Sequence, residues 1–147
     1  MDQKTGGYGV YYRADGERDI TGYVFQYDPG LGDKFVVRKV EKGRETSPIA
    51  SVQIAKVMGD DFDIMRTPHA ISISINGSSH SIKVDGTEVL SFNDSTYSSG
   101  SAGLRTWHGM AVALRHLTIY RQQNFNRCYL FKQIDKKYCY CSVLCLI

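Results

Sequence analysis

Cysteine is missing from most of this 147-residue chain. Its four cysteines, Cys128, Cys139, Cys141 and Cys145, all lie in the last twenty residues. No disulfide can hold the body together, so its fold must rest on an apolar core. The spacing C-x10-C-x-C-x3-C fits no zinc template, because paired C-x2-C knuckles are absent and no histidine is near. Long apolar runs are missing too. Nothing approaches the ~20 consecutive apolar residues of a membrane span, and the apolar end from Val143 to Ile147 is too short. The first residues, MDQKTGGYGVYY, are polar and lack a signal-peptide pattern. There is no GxGxxG, P-loop, HExxH or GxSxG, hence no cradle for a phosphate or dinucleotide and no nucleophile elbow. The body also lacks net charge. Residues 1–121 hold 14 Lys/Arg and 14 Asp/Glu, and the formal +3 comes from four basic residues and one acid in 122–147. Capture of nucleic acid by bulk electrostatics is therefore not expected.

What is present points to β-structure. Ten Tyr, six Phe and fourteen Gly with only three Pro suit a pleated, turn-rich chain. The length is that of one domain, able to hide roughly two thirds of its unfolded surface. The period is mostly two. GVYYR (9–13), GYVFQYD (22–28), FVVRKV (35–40) and SVQIAKV (51–57) read as strands, with turns at PGLGD (29–33) and EKGRE (41–45). Residues 58–68 read as a connection. HAISISI (69–75) sets Ile71, Ile73 and Ile75 on one face and Ser72 and Ser74 on the other. SIKVDG (81–86) turns at Asp85-Gly86 into TEVLSF (87–92), an antiparallel meander with one wet face. A polar loop leads to AGLRTW (102–107), and 111–121 reads as the last strand. About nine strands at spacings of roughly 8–12 residues predict an all-β, antiparallel β-sandwich or jelly roll.

Residues 122–147 change character. QQNFNRCYLFKQIDKKYCYCSVLCLI has no Gly and no clear period. Its composition suggests an atypical, cysteine-containing tail, appended or non-native, to a domain formed by 1–121. The competing reading is a native basic tail that pairs with a partner.

GYGVYYR, GYVFQYDPG, FVVRK and above all VDGTEVLSFNDSTYSSGSAGLRTW together resemble the concanavalin A-like, LamG-type jelly roll. The likeness spans residues 6–121. It leans toward the branch holding 3-keto-disaccharide hydrolase domains and fructan-type carbohydrate-binding modules, a fold also seen as heads of Gram-positive pilin-like proteins. The resemblance implies a sugar-handling or adhesive module of a larger secreted or surface protein. It also implies one or two strands before GYGVYYR, so the domain is expected to lack its first strand. The last strand departs from the pattern, with Leu114, Arg115 and His116 where Phe-Asp-Asn is usual.

Strand alternation nominates a site independently. Tyr11 and Arg13 share a face of the first strand, Gln26 and Asp28 one of the second, and Arg38 lies with Val36 on the third. Arg105 and Trp107 share a face of AGLRTW. If these strands are neighbours, Arg13, Gln26, Arg38, Arg105 and Trp107 converge, with Asp28 and Asp94 at the rim. Such a set recognises sugars: an aromatic plate takes the C–H face of a ring, guanidinium and amide groups fork onto hydroxyls, and carboxylates accept from them. The competing reading is packing, since a lone Trp and sheet-face arginines also serve cores and cross-strand pairs.

No catalytic residue is assigned. Asp28 with Asp94 is the one carboxylate pair to consider for glycoside hydrolysis. Glu17, Glu41, Glu45 and Glu88 each lie beside a turn, and His69, His80, His108 and His116 show no nucleophile pattern. Asp28, Asp94 and the DDFD run at 60–63 raise calcium, but the EF-hand Gly and Glu are lacking, so no cofactor is assigned. The expectation is an extracellular or cell-surface module that binds a glycan or polysaccharide within a larger polypeptide. Alternatives are a glycoside or 3-keto-disaccharide hydrolase domain and a structural pilus-like head.

Overall fold

The computed structural model describes residues 6–119 and, for residues 139–146, the backbone. Nine strands lie in the first stretch: β1 (Gly7–Asp15), β2 (Thr21–Asp28), β3 (Lys34–Glu41), β4 (Arg44–Gln53), β5 (His69–Asn76), β6 (Ser79–Val84), β7 (Thr87–Asn93), β8 (Ser101–Trp107) and β9 (Ala113–Ile119). They form the expected all-β sandwich of two antiparallel sheets. Sheet A runs β4-β3-β2-β1-β8. Sheet B begins β7-β6-β5 and continues through β10 (Cys139–Leu146), whose backbone pairs with both β5 and β9. Apart from that strand, the expected tail lies outside the described residues.

Alternation builds the core. Tyr8, Val10 and Tyr12 of β1, Tyr23, Phe25 and Tyr27 of β2, and Phe35 and Val37 of β3 point from sheet A into the sandwich. Ile71, Ile73, Ile82, Val84 and Leu90 meet them from sheet B. Each such side chain contributes about 1.5–3 kcal/mol on burial. Two hairpins turn where residues tolerate left-handed backbone. Asp85 and Gly86 take φ of 50° and 82°, and Lys42 and Gly43 take 49° and 77°, the two-residue geometry that matches strand twist.

Two expectations at the fourth strand are corrected. Residues 41–45 are not all turn, because β4 already begins at Arg44. Nor is 51–57 one strand: β4 ends at Gln53, and Ile54–Met58 form the short helix α1. Ile54 is buried as the apolar anchor of that helix, so a run with strand-like alternation ends in a helical turn that drops Ile54 into the core. Pro48 lies within β4, an edge strand of sheet A, where a missing N–H is tolerated. The β3–β4 register shifts twice around Arg38.

Candidate functional site

The face of sheet A turned away from the core carries most of the nominated residues. Register places them in rows across the strands. Trp107 lies opposite Gly7. Arg105, Gly9, Gln26, Val36 and Ser51 form the next row. Gly103, Tyr11, Val24, Arg38 and Pro48 form the third. Although this face looks outward, Val24 and Val36 are fully buried and Gln26 is only 2% exposed. Such burial on an outward face requires a cover, and long side chains of the same face supply it.

The cover is a charged and aromatic cluster. Trp107 lies over Gly7, so close that a Cβ there would sit 2.2 Å from the Trp107 Cζ2 atom. The Arg105 guanidinium is stacked 4.9 Å from the Trp107 ring and 5.8 Å from that of Tyr11, a cation–π arrangement. Arg105 Nη1 donates to Glu45 Oε1. The second oxygen of Glu45 lies 3.2 Å from Arg38 Nε, an ion-pair contact that is not a formed hydrogen bond, since Nε has no hydrogen-bond partner among the described residues. Arg38 Nη1 donates to Thr46 O at 2.9 Å, and Nη2 reaches Asp28 Oδ2 at 3.5 Å. The same Asp28 oxygen accepts from Gln26 Nε2 at 3.1 Å.

That Arg105 meets Glu45 reveals the shape of the face. β8 and β4 are the two edges of sheet A, four strand spacings apart. Laid flat they would be about 19 Å apart, beyond the reach of the two side chains. The sheet therefore curls and the doubly shifted start of β4 bends inward, making the face concave with the Arg105–Glu45 pair across it.

Gln26 is the unusual member. Its amide is anchored by Asp28, yet Oε1 is buried without a hydrogen-bond partner among the described residues. Burying such an acceptor unpaired costs about 1–3 kcal/mol. Beside the cluster, Glu45 also borders an open cleft of about 750 Å³ between the Asp19–Thr21 and Glu41–Arg44 segments.

Five nominated residues thus come together: Gln26, Asp28, Arg38, Arg105 and Trp107. Arg13 does not join them. A bulge falls between Tyr12 and Asp15, and Arg13 takes φ of 45°, which breaks strict alternation. Its Nη1 instead donates to Gly77 O at 3.1 Å and Tyr97 O at 3.0 Å, tying β1 to the β5–β6 turn and the 94–100 loop. Asp94 is also elsewhere. Its Oδ1 accepts from Tyr23 Oη at 2.5 Å and from Thr96 N at 2.9 Å, and Lys39 Nζ lies 3.8 Å from Oδ2. Burial opposes its ionisation, but hydrogen bonds from Tyr23 and Thr96 and the Lys39 charge prevail, holding the carboxyl at about 2. Tyr23 points into the core and lies five residues before Asp28, which faces the other way. About 17 Å of strand separates Tyr23 from Asp28, and the sheet lies between the two carboxylates, so they do not face one substrate as a glycosidase pair must. The Asp28–Asp94 pair considered for hydrolysis is not formed.

Asp94 belongs to an aromatic plug at one end of the sandwich. Its carbonyl oxygen is 2.9 Å from His80 Nε2, and Tyr12 Oη is 3.3 Å from His80 Nδ1. A carbonyl can only accept, so Nε2 carries the proton and Nδ1 accepts from Tyr12. Fully buried His80 stacks on Phe92, with Tyr12 and Tyr23 against it; burial holds it neutral, lowering its pKa. Within the DDFD segment, Asp63 is likewise structural. Asp63 Oδ1 accepts from Met65 N and Arg66 N, and Asp63 O lies 2.8 Å from His69 Nε2. Among the described residues no three His, Cys, Asp or Glu side chains converge as a metal cage, and no helix is long and apolar enough to cross a membrane.

Glu45, Tyr11 and Thr46 were not nominated by sequence. Glu45 fell in a segment read as a turn, so no face was assigned to it. Pro48 was the available signal, marking an irregular edge strand. No family model, curated protein or solved structure matches this chain.

Proposed function

We propose that the chain is a carbohydrate-binding module, part of a larger extracellular or cell-surface protein, with the concave face of sheet A as its binding surface. The reading is supported above all by Gln26: an anchored amide whose acceptor has no partner among the described residues, on the face that carries the aromatic rings and guanidinium groups. A sugar hydroxyl is both donor and acceptor. It would give its proton to Gln26 Oε1 once the covering side chains part, and take one from Arg105. Asp28 and Glu45 supply acceptors, and Tyr11 and Trp107 supply apolar ring surface. The resemblance to the concanavalin-like, LamG-type jelly roll points the same way. Affinity for a short sugar is expected to be weak, because its hydrogen bonds are exchanged with water.

The test is affinity electrophoresis of the full chain through gels containing neutral polysaccharides, beside Trp107→Ala and Gln26→Leu. Retention lost in both variants, with the fold intact by circular dichroism, is the expected result. A folded chain that no polysaccharide retards refutes the reading and leaves the cluster as packing of a structural head.

A further inference from the structure

The charges on the concave face are closely balanced. Arg38 and Arg105 are the cations of the cluster, and Asp28 and Glu45 are its anions. Strand alternation adds Lys34, opposite Asp28. The adjoining cleft has no excess of positive charge, with Asp19, Glu41 and Glu45 against Lys42 and Arg44. Within the cluster the two carboxylates are not equivalent. Asp28 serves Arg38 and Gln26 from the same sheet neighbourhood. Glu45 alone bridges the two edges, one oxygen to Arg105 and the other to Arg38, with 28% of its side chain exposed. It occupies the place where an anionic ligand group would bind both guanidinium groups.

We infer that Glu45 is the specificity-determining residue of this face. It acts as a built-in carboxylate that reserves the surface for uncharged glycans and excludes uronate- or sulfate-bearing ones. The inference rests on the carbohydrate-binding reading for its ligand class. An incoming carboxylate would have to displace Glu45, exchanging one anion for another and leaving the first close by and unpaired. Like-charge contact in a half-buried site is costly. A neutral hydroxyl meets no such penalty. It accepts from the Arg105 N–H groups that Glu45 does not use and donates to a free lone pair of Glu45.

The experiment compares wild type with Glu45→Gln in affinity electrophoresis through polygalacturonate and through neutral polysaccharide. Glutamine keeps the shape and removes the charge. Glu45→Gln is expected to bind polygalacturonate about 10-fold more tightly than wild type, with the gain lost at about 0.5 M salt. Adding Arg105→Gln to that variant should abolish the gain. Glu45→Ala, which also removes the carboxylate from both arginines, should move the same way, and it decides the matter if Glu45→Gln does not fold. Strong retention of wild type by polygalacturonate overturns the inference. So does a folded Glu45→Gln with no gain. Failure of wild type to bind any neutral polysaccharide, with the polyanion gain present, rejects the proposed function but upholds Glu45 as the charge filter.

Discussion

Replacing Gly7 with alanine probes the packing of the tryptophan against β1. Gly7 lies opposite Trp107 in the β1–β8 ladder. Its backbone is not left-handed, so alanine meets no conformational penalty there. The added methyl meets a steric one: its carbon would sit 2.2 Å from Trp107 Cζ2 and 2.6 Å from Tyr27 O. The indole can swing away from the methyl, but the Tyr27 carbonyl belongs to the β1–β2 ladder, so the second clash strains the backbone. Overpacking of this kind costs about 1–3 kcal/mol, or a Tm drop of roughly 3–10 °C at this chain length. Gly103 provides the contrast on the same face. A methyl there would meet only Tyr11 Cβ and Cδ2, at 3.9 Å, so Gly103→Ala should be neutral or stabilising by up to about 1 kcal/mol. Trp107 is the only tryptophan, so its fluorescence reports on the site alone. Thermal unfolding with emission spectra of the two variants is the assay. Gly7→Ala should lower Tm and shift the emission, because the indole leaves Gly7 and Arg105 together. A Gly7→Ala protein with wild-type Tm and wild-type emission would refute the placement of the indole over Gly7.

Acid should destabilise the fold in two steps with the same sign. Burial lowers the pKa of His80 below 6.5, so the unfolded chain binds that proton first, and stability falls as pH drops below 6.5 toward the folded value. Asp94, lowered from 3.8 to about 2, contributes about 2 kcal/mol at neutral pH, lost as pH falls from 3.8 to 2. Urea unfolding across pH 2–8 checks both, and Asp94→Asn should remove the lower step while leaving the upper one. Arg13→Ala removes two bonds to carbonyl oxygens and should cost about 1–3 kcal/mol without changing polysaccharide retention. Loss of retention at unchanged stability would return Arg13 to the binding face.

The sandwich was legible because its strongest signal is also its main source of stability. Ile71, Ile73 and Ile82 alternate with polar residues, and the structure buries those isoleucines almost completely. Asp85-Gly86 named its hairpin because that turn needs left-handed residues in sequence. Around residue 54 the pattern misleads, reading as strand where the chain turns helical. SVQIAKV has an apolar residue every second or third position, and strand and helix periods coincide over so short a run. Burial of Ile54 against its neighbours decided the matter.

The site divides along the same physical line. Alternation holds where the ladder is regular, so Gln26, Asp28, Arg38, Arg105 and Trp107 were found from sequence. It fails at bulges, and here the bulges decide membership. One at the end of β1 turns Arg13 off the face. Two beside Arg38 bend the start of β4 and bring Glu45 onto it, where it meets arginines on both sides of the concavity. Each bulge shifts the phase of every residue beyond it, yet its own sequence signature is weak. A partner seven residues away, Arg38 for Glu45, is as hard to read from periodicity as one sixty residues away, Arg105 for Glu45. Charge was therefore the better guide to the missing member. Two arginines half-buried on one face, with only Asp28 beside them, need a second carboxylate, and the four glutamates passed over as turn residues were the place to look for it.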